Sequence, residues 1–385
     1  MNTNENTKQS DKIKWLMPVS CGLLFFIGFE VGALQFVLLG VTGEFALGGA
    51  MVGTLLATKY FAMMIGQPVF AILADRAGKK PVILVSMSLF IAGCAAVAGA
   101  PVLSIFVIGM FVAGMGYGVT ESLICAVLVD VFPDKAERYA NLSQGAFSLG
   151  AMVGPLAASQ VSSFANARLV FLVAVLGFVA LLPLFAAIPL PRVRPAKEKT
   201  KLSLRGGPAI LFAALLFAIF IYGGAETSAA GFFNSLFSQA LHVPEFGAFA
   251  ISAFWLAMMA SRVLFGVFNL PAKWVVLGCM VAWAVVFAVI SANHSPMFSL
   301  ILAALAGMAA GPVWAMLISF AAKEFPAYSG TAVSLMAMGS GLGATLVPIM
   351  IGWTADSYSL HFAMLVIGGS MLVGALAFVV YLKRR

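Results

Sequence analysis

Apolar stretches of about 20 residues recur along this chain, separated by short clusters of glycine, proline and charge. Reading between the clusters gives spans at 16–40, 49–74, 81–98, 102–130, 138–164 and 168–187. A second set follows at 209–236, 245–268, 272–292, 297–321, 330–354 and 361–382. Runs of this length match the ~20 residues that carry a helix across a bilayer. Lipid offers backbone groups no hydrogen-bond partners, so such runs must be helical, and no alternating pattern of a barrel is present. The polar segment 1–15 lacks a cleavage pattern followed by a soluble domain, so the first apolar run is expected to remain as a span. The fold class predicted is all-α and integral to the membrane, with twelve transmembrane helices in two pseudo-symmetric six-helix bundles.

Composition agrees with the pattern. Of 385 residues, 62% are apolar and only 9% charged, too few charges to cover the surface of a soluble protein. The net charge of +8 is a matter of topology. With an even number of spans both termini share one face, and twenty of the 22 basic residues fall on it, leaving Arg168 opposite and Lys59 inside a span. By the positive-inside rule that face is cytoplasmic, and nucleic acid is not implied as a partner. A multi-pass protein of the cell membrane, such as a bacterial inner membrane, is expected. Cys21, Cys94, Cys125 and Cys279 all lie in apolar stretches, which indicates neither a disulfide framework nor a zinc site. With no nucleotide-binding loop, metal cluster or nucleophile constellation, neither enzymatic activity nor an ATP-driven pump is expected, and no cofactor or metal is implied.

The basic, proline-bearing stretch 188–208 divides the chain into bundles at 1–187 and 209–385. The halves share punctuation: Phe132-Pro133 recurs as Phe325-Pro326, and Gly150 and Pro155 recur as Gly343 and Pro348, every pair 193 residues apart. One offset holding four landmarks implies internal duplication, the arrangement of transporters that rock two repeats around a central site.

These features resemble the major facilitator superfamily. Asp75-Arg76-Ala77-Gly78-Lys79-Lys80 is similar to that family's cytoplasmic loop signature, with Ala71 where glycine is usual. The equivalent loop of the second half keeps Arg262 and Gly266. The resemblance implies gating roles for Asp75, Arg76 and Arg262; the bland alternative is a solvated cluster that sets topology. Within the superfamily the chain resembles the fucose/glucose permease branch, through Tyr222-Gly-Gly-Ala-Glu226, Gly116-Tyr117-Gly118-Val-Thr-Glu121, and Arg138-Tyr-Ala-Asn141 leading through Gln144 to Gly150.

Ionisable groups at mid-bilayer are costly and normally face a cavity or a partner. Glu30, Lys59, Glu121 and Glu226 stand well inside spans. Glu121 shares a helix face with Tyr117, and Glu226 with Tyr222. A carboxylate beside an aromatic ring suits a polar, ring-shaped solute, the one accepting hydroxyl hydrogen bonds and the other covering the CH face. Desolvation favours the neutral form of a carboxyl group, as proton coupling near neutrality requires. The resemblance implies Glu121 as proton or sugar site, with Glu226 and Glu30 as further proton-coupling candidates; each glutamate could instead bridge helices structurally. The branch's acid in the first span aligns near Gln35, and Glu30 lies about 140° around the helix from it. A Glu30–Lys59 ion pair is one expectation for that departure.

Asn141, Gln144 and Ser148 form a polar stripe on the fifth span, and Asn234 extends the polar end of the seventh. Trp255 and Trp314 are candidates for stacking on a sugar or for core packing. The expected solute site is thus Gln35, Glu121, Asn141, Gln144, Tyr222, Glu226, Asn234, Trp255 and Trp314. The function implied is a secondary active transporter working by alternating access, taking up a sugar or polyol with protons as a monomer in the lipid bilayer. Alternatives are a proton-driven exporter of drugs or metabolites, to which Gly150 through Gly154-Pro155 is similar, and a non-transporting sensor or scaffold.

Overall fold

The structure is a computed structural model that describes residues 13–132, 136–190, 207–267, 271–325 and 329–384. Most of the basic linker predicted at 188–208 lies outside the described residues, as do Pro133 and Pro326 of the repeated landmarks. Helices account for nearly all that is described. The first half runs α1 (Leu16–Glu44), α2 (Ala50–Ala77), α3 (Lys79–Gly99), α4 (Leu103–Val131), α5 (Ala136–Ser162) and α6 (Phe171–Ala187). The second half runs α7 (Gly207–Ser235), α8 (Gly247–Val267), α9 (Ala272–Ala292), α10 (Pro296–Ala310), α11 (Val313–Glu324), α12 (Ser329–Ser357) and α13 (Leu360–Arg384). Helices α10 and α11 are one span, Pro296–Glu324, broken at Gly311-Pro312 because proline has no N–H to continue the ladder. Twelve transmembrane segments result. Among the described residues eleven are long and apolar enough to cross a bilayer by composition alone. The twelfth, α5, falls short because Gln144, Ser143 and Ser148 sit along it.

The chain groups into two units, one of residues 1–34 and 61–197, the other of residues 35–60 and 198–385. In the first, α3 and α4 pack closely, and the buried Ser86 and Thr120 hydroxyls share a hydrogen bond of 2.8 Å. Arg168, alone on its predicted face, is buried and donates to the Ala100 carbonyl at 2.6 Å. In the second unit the core is aromatic: Phe233, Phe254, Trp283 and Phe287 stack or meet edge to face.

The internal duplication is legible in helix packing. A Cβ on Gly150 would overlap the carbonyl oxygen of Phe25, so α5 rides directly on the backbone of α1. A Cβ on Gly343 would overlap the carbonyl oxygen of Phe220 in the same way, seating α12 on α7. Without water to drive helices together, small residues that admit close backbone approach hold membrane bundles in register. The two repeats therefore use one packing device at corresponding positions.

Candidate functional site

Polar clusters interrupt the apolar interior of each unit. In the first, Glu121 on α4 accepts a hydrogen bond from the Gln144 amide of α5 at 3.2 Å. Both side chains are partly buried, and the same amide lies 4.0 Å from the Cys125 sulfur, one helical turn from Glu121. Ser143 faces that thiol as well. Below them Tyr117 stacks with Phe147 at 6.3 Å between ring centres, so an aromatic wall adjoins the carboxylate. The helices present these groups together because Tyr117, Glu121 and Cys125 follow at spacings of four on α4, while Gln144 and Phe147 follow at three on α5. The side chain of Asn141, predicted to join them, lies outside the described residues.

The second cluster centres on Glu226 of α7. The Arg262 guanidinium of α8 lies 4.0 Å from its carboxylate, with both side chains partly exposed. Arg262 also donates to the carbonyl of Gly311 at 3.2 Å, and Tyr222 donates to the neighbouring carbonyl of Ala310 at 3.0 Å. The break in α10–α11 supplies these acceptors: carbonyls ending a helix lack intrahelical partners, and side chains from two other helices satisfy them. Tyr222 is fully buried, and its ring neighbours both Glu226 and Arg262. Its hydroxyl thus lies between the helix break and the charged pair, with Glu226 one turn further along α7.

Gln35, Trp255 and Asn234 form a third group in the same unit. The Trp255 indole donates to Gln35 Oε1 at 2.9 Å, and both residues are buried. Asn234 donates to the Phe36 carbonyl at 2.7 Å and accepts from Ser238 at 3.3 Å. Trp314, just past the α10–α11 break, is 36% exposed. Glu30 and Lys59 are both buried, Glu30 in the first unit and Lys59 in the second.

The segment expected as a loop is helical up to Ala77, with only Gly78 between α2 and α3; in the last turn of α2 the side chain of Asp75 lies outside the described residues, and Arg76 is exposed. Lys79, read from the sequence as a cytoplasmic-face charge within the family's loop signature, forms an ion pair with Asp130 near the end of α4. Lys80 donates to the carbonyl of Ile188 at 2.7 Å. Asp130 carries no motif of its own; its place beside the Phe132-Pro133 helix end is the signal that could have drawn attention to it. Among the described residues, no three His, Cys, Asp or Glu side chains come together as a metal site.

Membrane-crossing helices in two repeated halves, with isolated charged clusters inside the spans, define a polytopic membrane protein. The chain matches the Major Facilitator Superfamily over residues 20–269 and 215–385, and it belongs to that family. It is 32% identical over 141 residues to a putative niacin/nicotinamide transporter of Bacillus subtilis, an alignment covering 36% of this chain and 34% of that protein. It is 22% identical to a benzoate transport protein of Acinetobacter baylyi over 389 residues, covering 88% of this chain and 83% of the other. A D-xylose transporter of Levilactobacillus brevis matches at 27% over 138 residues, 36% of this chain and 29% of that one. The chain thus spans about a third of the length of several curated relatives that it matches.

Solved structures extend the likeness of fold to the whole chain. The nucleoside transporter NupG superposes with a TM-score of 0.77 at 17% identity, covering 95% of this chain and 99% of its own. The transporter FucP in its outward conformation gives 0.66 at 17% identity, covering 96% and 98%.

Proposed function

We propose that this protein takes up a small hydroxylated solute, a sugar or a sugar-like polyol, together with protons, by alternating access. The observation that carries the reading is the Glu121–Gln144 pair beside Tyr117. A carboxylate accepts solute hydroxyls, the amide of Gln144 both donates and accepts, and an aromatic face covers the apolar side of a pyranose ring. A carboxyl group in this setting also exchanges its proton with solute binding: a bound hydroxyl competes with Gln144 for the same oxygen. Glu226, held by Arg262, is the second carboxylate of the pathway, and Glu30 the third candidate for proton exchange. The similarity to xylose transporters and to the fold of FucP supports this substrate class. The positive-inside distribution supports cytoplasmic termini in a cell membrane, with the protein acting as a monomer built of two six-helix repeats, 1–187 and 209–385.

The test is uptake into proteoliposomes of a labelled panel of hexoses, pentoses, polyols, nucleosides and benzoate, with and without an inward proton gradient. Gradient-dependent accumulation of a sugar or polyol supports the reading. Failure of every sugar and polyol of the panel to accumulate with the gradient overturns it.

Arg262 favours a second reading. Its guanidinium sits at the limit of contact with Glu226 and could exchange that partner for a solute carboxylate. The relatives named for benzoate and niacin/nicotinamide transport fit such an anion. Proton-driven accumulation of benzoate in the same panel, with sugars excluded, decides for it.

A further inference from the structure

The turn between α1 and α2 and the turn between α12 and α13 lie on the face opposite the chain termini. There the Asp356 carboxylate, one residue before the end of α12, accepts a hydrogen bond from the backbone N–H of Ala50 at 2.8 Å. Ala50 is the first residue of α2, so an aspartate some 300 residues distant caps this helix. A helix N-terminus exposes unpaired N–H groups and positive potential, and a carboxylate answers both. The residues before it are Gly48 and Gly49, and a Cβ on either would approach the Asp356 carboxylate oxygens, to 3.2 and 2.7 Å. The glycine pair is what lets the carboxylate reach the helix end. Farther into the span, a Cβ on Gly53 would overlap the carbonyl of Pro348, and one on Gly352 would lie 2.7 Å from the Ala50 carbonyl, so the helices touch backbone to backbone.

All these atoms belong to the unit formed by residues 35–60 and 198–385. The segment 35–60 comprises the ends of α1 and α2 nearest that face. Polar tethers that hold it include Gln35 to Trp255, Phe36 to Asn234, and Ala50 to Asp356. The first two are buried or partly buried; the third is exposed to solvent and rests on the Asp356 side-chain oxygen. A cavity of about 240 Å³, lined by Gly49, Ser235, Gln239, Asp356, Ser359 and His361, adjoins that tether. Trp353 and Tyr358, largely exposed aromatics flanking Asp356, mark the level of the membrane interface.

We propose that Asp356 is a latch that keeps this face of the transporter closed by capping α2, and that its release is a step in opening the face to solution. Asp356 is a positioning residue: it holds the ends of α1 and α2 against α7, α8 and α12 and need not touch the solute. The proposal rests on the alternating-access reading above but not on the identity of the solute.

The test is the labelling rate of a single cysteine at Ser235, a buried residue lining the cavity, by a membrane-impermeant maleimide in a background with the four native cysteines replaced. Asp356→Ala is expected to raise that rate about fivefold, the equilibrium change that matches loss of an exposed helix cap. Asp356→Asn keeps an acceptor for the Ala50 N–H and should stay within about twofold of the parent. Ala50→Pro removes the donor and leaves the carboxylate, in a position where proline starts helices well, and should also raise the rate. It keeps the test intact if Asp356→Ala does not fold. A second reporter at Ala321, fully buried towards the terminal face, separates latch release from loosening of the whole protein. Its rate should not change, whereas general destabilisation would accelerate both reporters. Parent-like labelling at Ser235 in both Asp356→Ala and Ala50→Pro overturns the proposal. No solute enters these measurements, so their outcome is independent of the uptake panel.

Discussion

The Glu226–Arg262 pair permits a quantitative prediction, because its geometry limits how strongly the two charges can couple. At the observed 4.0 Å separation and an effective dielectric constant of about 20, Coulomb attraction reaches roughly 4 kcal/mol. Both side chains keep partial contact with solvent, at 29% and 18% exposure, which screens the attraction, and two long side chains lose freedom when held together. Arg262 also retains its bond to the Gly311 carbonyl when Glu226 is neutralised. A net coupling of about 1 kcal/mol remains. A double-mutant cycle of Glu226→Gln, Arg262→Gln and the double variant, read as unfolding free energy in detergent, should therefore be non-additive by about that amount. The double variant should be more stable than the sum of the single losses implies, since each single change leaves one charge inside a span without its counterpart. Additivity within about 0.3 kcal/mol would refute the pair as an energetic unit and leave only proximity.

Other substitutions probe separate parts of the structure. Tyr222→Phe strips the α10–α11 break of a buried hydrogen bond and should cost about 1–3 kcal/mol of stability, visible as a lowered melting temperature; an unchanged value would mean that water replaces the hydroxyl. Gly150→Ala and Gly343→Ala place a methyl group against helix backbone, and each should destabilise by about 1–3 kcal/mol. Similar losses at the two sites would support the shared packing device, whereas tolerance at one would break the correspondence. Gln144→Ala should weaken solute binding, measured as a raised KM for uptake, because it removes the donor that orients Glu121.

The division between what was legible in the sequence and what was not follows the physics of the bilayer. Lipid forces long apolar runs into helices, so all twelve spans could be read from hydropathy, including α5, whose polar stripe weakens its signal. The shared 193-residue offset of Gly150 and Gly343 corresponds to the same close approach between helices in each repeat. Helical periodicity also put Tyr117 and Glu121 on one face. Partnership between distant helices was not legible, because spacing along a chain sets depth and facing but not which helix stands opposite. Arg262 counted as a face charge and a gating candidate, and neither reading named Glu226 on α7 as its neighbour. Lys79 counted as a face charge within the loop signature and meets Asp130. Tyr222 shared a face with Glu226 by spacing, but the Ala310 carbonyl that accepts from its hydroxyl lies 88 residues away in sequence. Asp356 fell just beyond the apolar run of its span and offered no pattern to read.

The central claim is that Glu121 links proton movement to solute movement. The most direct measurement compares, for Glu121→Gln in proteoliposomes, accumulation driven by an inward proton gradient with solute counterflow at equal pH on both sides. The account predicts that gradient-driven accumulation is abolished while counterflow persists, since exchange of solute for solute needs no net proton transfer. Accumulation at the parent level in this variant would contradict it.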